Sequence, residues 1–93
     1  IIPNVQSSVE LFPNPATNSI KVTFSLPSSV SNAEIIIFNS VGQVMKTNYV
    51  SINQTGKHTQ QIDISHFPGG AYFLFLKSTN SYFRNKTFIK SEN

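Results

Sequence analysis

The stretch Ile20-Lys21-Val22-Thr23-Phe24-Ser25-Leu26 alternates without a slip. Ile20, Val22, Phe24 and Leu26 fall on one side of an extended chain, and Lys21, Thr23 and Ser25 on the other. This is the period of two that marks a half-buried β-strand. Just upstream stands Pro13-Asn14-Pro15. Each proline fixes φ and removes a backbone donor, and each pushes the residue before it to extended geometry. The step excludes a helix or a central strand at that point and sets a fixed corner at the entry to a β domain.

Working outward, the same grammar repeats. Val9–Phe12 reads as a short strand stopped by the corner, and 33–38 (Ala-Glu-Ile-Ile-Ile-Phe) as a central strand apolar on both faces. Asn39-Ser40-Val41-Gly42 is a turn in which Gly42 supplies φ > 0. Residues 43–50 and 59–64 alternate again. Phe67-Pro68-Gly69-Gly70 breaks the chain, with Gly69 or Gly70 expected at φ > 0. Residues 71–78 form the most apolar strand, Thr79-Asn80-Ser81 a hairpin connection, and 82–89 the last strand. Short strands with turn signals every 8–12 residues, and no helical period, predict an all-β, seven-stranded antiparallel immunoglobulin-like β-sandwich. The expected core is Ile20, Val22, Phe24, Ile35, Ile37, Ile62, Ile64, Phe73 and Phe75. Tyr49 and Tyr82 are expected as exposed exceptions among the aromatics.

Composition narrows the function. The 93 residues suit one domain, 9–93, preceded by a linker, 1–8, that has no sustained period. There is no cysteine, so thiol chemistry and disulfides are excluded. The net charge of +3 comes from scattered lysines rather than a basic run, which argues against nucleic acid. No stretch approaches the length of a membrane helix. Ile1-Ile2-Pro3-Asn4 is neither a signal peptide nor a start at Met, and suggests a piece of a longer polypeptide.

Residues for catalysis are sparse. Glu10, Glu34, Asp63 and Glu92 fall at no pairing interval, and no serine sits in a nucleophile elbow. His58 and His66 bracket one expected strand, too far apart to share a metal. Asp63 reads as a turn-bonding or solvated residue. Asn53-Gln54-Thr55 and Asn85-Lys86-Thr87 match the short glycosylation pattern, which alone carries little weight. The expectation is no enzyme activity, no metal and no cofactor.

In order, these marks resemble the C-terminal sorting domain of proteins exported by the type IX secretion system of Bacteroidetes. Leu11-Phe12-Pro13-Asn14-Pro15 and Ile20 to Phe24 match its opening, and Ile35 to Val44 its central strand and glycine turn. Ile62-Asp63-Ile64-Ser65-His66-Phe67-Pro68-Gly69-Gly70-Ala71-Tyr72 matches an Ile-Asp-Ile/Leu-Ser strand followed by Leu-Pro-x-Gly-x-Tyr, with Phe67 in the leucine place. Lys86-Thr87-Phe88-Ile89-Lys90 matches the closing lysine-bearing strand. The tail Ser91-Glu92-Asn93 is longer and more polar than in many members.

The resemblance implies a non-catalytic secretion signal at the end of a cargo protein. An outer-membrane type IX translocon recognises it, and a sortase-like cysteine peptidase removes it, with cleavage expected within 1–8. Localisation is then the cell surface or medium, by way of the periplasm. Recognition candidates are Pro13, Asn14, Pro15, Gly42, Pro68, Gly69, Gly70, Tyr72, Lys86 and Lys90. The two lysines are expected on an exposed edge strand open to strand addition, and the isolated domain is expected to be a monomer or a weak dimer through that edge. The alternative is a fibronectin-like or carbohydrate-binding accessory or adhesion module of a secreted protein, which need not end its precursor.

Overall fold

A computed structural model describes residues 9–26, 32–51, 56–78 and 83–91. The linker at 1–8, the connection at 79–82 with Tyr82, and the end of the tail lie outside the described residues. Seven strands follow in chain order: β1 Val9–Phe12, β2 Ser19–Leu26, β3 Asn32–Asn39, β4 Val44–Ser51, β5 Gly56–Asp63, β6 Gly70–Ser78 and β7 Phe83–Lys90. They form two antiparallel sheets, β1-β2-β5 and β4-β3-β6-β7. β3 is central, and β7 is an edge, as the sequence suggested.

The alternation in β2 does what its period requires. Ile20, Val22 and Phe24 are buried, and Ile62 of β5 and Val9 of β1 share their layer. From the other sheet come Ala33, Ile35, Ile37, Val50, Leu74, Leu76, Tyr72 and Phe88. Each buried Ile, Leu or Phe contributes about 1.5–3 kcal/mol relative to exposure, so this layer carries most of the stability of a chain this short.

One part of the expected core is wrong. Phe73 and Phe75 do not point inward: Phe73 is 38% exposed and Phe75 half-buried, while Tyr72, Leu74 and Leu76 fill the core. A strand shifted by one residue turns every side chain to the other face. The two phenylalanines lie on the outer face, where Phe38 pairs with Phe73 and Ile36 with Phe75. Phe38 meets Phe75 edge-on at 5.1 Å between ring centroids.

The two outer faces differ in chemistry. Over the three-stranded sheet lie Ser19, Lys21, Thr23, Thr59 and Gln61, with Thr23 and Thr59 hydroxyls 3.3 Å apart and Gln61 Nε2 donating to Ser19 Oγ at 3.4 Å. Over the four-stranded sheet lie Ile36, Phe38, Phe73 and Phe75. A weak ion pair, Lys77 to Glu34 at 3.8 Å, closes the far end of that apolar face.

Candidate recognition pole

The pairing register sends the motif-bearing turns to one end of the sandwich. Asn39 at the end of β3 pairs with Tyr72, Gly70 pairs with Lys90, and Ser19 pairs with Asp63. The proline corner, the Gly42 turn, the Asp63–Gly70 turn and the end of β7 therefore share a pole. Val9 pairs with Phe24, so the chain enters β1 nearer the opposite end.

At the pole, the proline corner lies against the edge of β7. Ala16 is fully buried; its N–H donates to Ile89 O at 2.8 Å, and its carbonyl accepts from Ser91 N at 2.7 Å. This is a one-residue parallel bridge to Lys90. The next rung toward the start of β7 would need the carbonyl of Asn14. Its side chain takes that role instead: Asn14 Oδ1 accepts the Ile89 N–H at 2.9 Å. Pro13 and Pro15 flank it without donors, and both X–Pro bonds of the corner are cis.

The second turn is closed by Asn39. Its Oδ1 accepts from the N–H of Val41 at 3.1 Å and of Gln43 at 2.9 Å, and its Nδ2 donates to Gln43 Oε1 at 2.8 Å. Gly42, at φ 91°, completes the reversal. That region is strained for a residue with a Cβ, which is why the position reads Gly.

In the third turn, Asp63 Oδ1 accepts from Ser65 N at 3.0 Å, an Asx turn of the expected kind. That bond and one from the Ser65 side chain hold the Asp63 carboxyl below its usual range. Lys46 Nζ donates to Asp63 O at 2.8 Å and ties β4 to the end of β5. Further on, Tyr72 donates its hydroxyl to Pro68 O at 2.5 Å. Its ring sits between Phe67 at 5.1 Å and Phe88 at 5.5 Å, and burial raises its pKa. Gly70, not Gly69, has positive φ, at 148°. The exposed Pro68 is thus tied to the buried Tyr72 at the pole.

Lys90 departs from expectation. It is not an exposed edge lysine: it is 8% exposed, its stem lies on the core-facing side of β7, and its Nζ donates to Ser91 O at 3.3 Å. A long aliphatic stem can be buried while its amine reaches a polar partner. Lys86, four residues earlier on the same side, is exposed.

The sequence reading missed the apolar rim of this pole. Phe12, Val41, Val44 and Ile89 are exposed, and all four lie at it, Val41 at 77%. Val41 and Val44 flank the Gly42 turn; Phe12 precedes Pro13, and Ile89 is the residue that Asn14 caps. The available signal was apolar residues placed beside turn residues, where solvation favours polar ones. His58 is half-buried and stacks on Phe24 at 5.7 Å. Among the described residues no three His, Asp or Glu side chains gather as a metal site would require.

Residues 10–90 match the family described as Secretion system C-terminal sorting domain. The chain belongs to that family. It is 37% identical over 78 residues to Beta-agarase A of Zobellia galactanivorans, an alignment covering 83% of this chain and 13% of that protein. The sorting domain therefore spans a small part of that relative. The family match runs from Glu10 of β1 to Lys90 of β7 and takes in all the motif-bearing turns. As a type IX sorting signal, the domain directs export out of the cell.

Proposed function

We propose that the sorting domain is read by the outer-membrane type IX translocon at the pole formed by Pro13–Ala16, the Gly42 turn and Asp63–Gly70. In this reading the domain has no catalysis of its own. Cargo attaches through residues 1–8, and a sortase-like cysteine peptidase cuts there after passage. The observation that supports the proposal is the convergence of these turns with the end of β7, where Asn14 is bonded to Ile89, 75 residues away. A signal shared by unrelated cargoes must be read through features that no cargo supplies. A rigid set of turns with exposed apolar side chains, distant from the cargo junction, meets that demand.

An accessory-module reading finds some support in the aromatic outer face around Phe73 and Phe38, but the sorting family ranks it second. The test fuses residues 1–93 to the C-terminus of a periplasm-directed reporter in a Bacteroidetes host. The reporter is expected on the cell surface or in the medium. Retention in the periplasm, while a sorting domain from another cargo exports the same reporter, overturns the reading.

A further inference from the structure

We propose that the outer edge of β7 at Asn85–Thr87 is a strand-addition site for an extended, acidic segment of a partner protein. The inference names how the sorting domain grips a partner, and so rests on the sorting reading for where that partner is met.

The backbone argument comes from parity. Ile89 directs both its N–H and its carbonyl away from β6, to Asn14 and Ala16. In an antiparallel pair such residues alternate with those bonded to the neighbouring strand. Thr87, opposite Phe73, and Asn85, opposite Phe75, therefore also point both groups outward. Among the described residues no strand pairs with them on that side, although β1 lies near β7, and Asn85, Lys86 and Thr87 are all exposed.

The same edge already accepts one extended residue. Ala16 makes one complete parallel rung at Lys90, and the Asn14 side chain makes half of the next. The ladder stops there because the chain bends at Pro13–Pro15 and leaves only the Asn14 side chain in reach of Ile89, not because β7 ceases to be regular. The other edge of this sheet, β4, is less available. β4 carries a register shift opposite Ile37/Phe38, and Lys46 ties β4 to Asp63 of β5.

Lys86 sets the chemistry of the occupant. It shares the core-facing side of β7 with Phe88 and Lys90, yet it is exposed where that side opens at the edge. An inward-pointing charge at an edge repels ordinary apolar strands, including a second copy of this chain. It favours a strand that places Asp or Glu directly opposite, because cross-strand opposite charges attract and like charges repel.

Two measurements test this. In the first, amide shifts of the isolated domain are followed while a capped synthetic peptide is added, alternating threonine and valine around one central glutamate. The Asn85 and Thr87 amides are expected to move. The twin peptide with lysine at the centre should bind about fivefold more weakly or less, the span of an exposed ion pair, and K86E should reverse that order. In the second, Thr87→Pro is placed in the exported reporter. The Thr87 N–H faces outward, so proline removes no internal rung, and retained folding is checked by thermal melting; Asn85→Pro serves if Thr87→Pro melts early. Loss of export by the folded variant, with wild type exported, supports the site. Unmoved Asn85 and Thr87 amides, equal binding of the two peptides, or normal export of the folded proline variant overturns it. Failure of wild-type export instead overturns the sorting reading, while the peptide titration still decides the edge.

Discussion

Asn14 shows how much one side chain settles. Between two prolines it has no regular ladder to join, so its amide oxygen substitutes for a backbone carbonyl and caps β7. Nothing in Pro13-Asn14-Pro15 alone reveals that partner, because Ile89 is 75 residues away. Asp63 was more legible: an aspartate two residues before a turn serine announces an Asx turn. Its lowered pKa has a testable consequence. A carboxylate whose folded pKa lies below its unfolded value, here 3.8, contributes stability present above that value and lost as pH falls through the folded pKa. Acid unfolding is therefore expected to weaken the wild type more than Asp63→Asn below pH 3.8, measured by urea melts across that range. Equal loss in both would remove Asp63 from the account.

At the scale of elements, six strands were legible to within one residue at each end, because polar and apolar positions alternate and turns carry Pro, Gly and Asn; β5, read as 59–64, instead spans Gly56–Asp63. β6 was misread in register for a physical reason. Ala71-Tyr72-Phe73-Leu74-Phe75-Leu76 is apolar at every position, so its period of two is degenerate. The parity mark was Lys77, which belongs outside and takes Phe75 and Phe73 with it. In β3, Glu34 supplies the same kind of mark, and there Ile35 and Ile37 were assigned correctly. Lys90 misled in the opposite way, since a lysine near a chain end reads as solvated while its stem is buried. The corrected register predicts that Leu74→Ala costs about 2–5 kcal/mol. Phe73→Thr, which alters only a cross-strand contact on the outer face, should cost about 1 kcal/mol or less. Urea unfolding of the two variants checks the order; a reversed order would return Phe73 to the core.

At the scale of the molecule, the proposed function assigns different tasks to the two ends of the sandwich. The chain enters β1 at Val9, and the four residues of β1 carry it about 10 Å to the proline corner at the rise of a strand. The turns that resemble no cargo stand at the other end. The family and the fold were readable from the order of the turn motifs. Their meeting at one pole was not, because it depends on which strands pair. The most direct measurement compares export of a reporter carrying Val41→Asp with Val44→Thr, against one carrying Tyr49→Thr. All three side chains are exposed, but Tyr49 lies away from the pole, opposite Glu34. Substitutions at such positions leave stability within about 0.5 kcal/mol, so both domains should melt close to wild type. The pole variant is expected to stay in the periplasm and the Tyr49 variant to be exported as wild type. Normal export of a folded pole variant would contradict the claim that this pole is the surface the translocon reads.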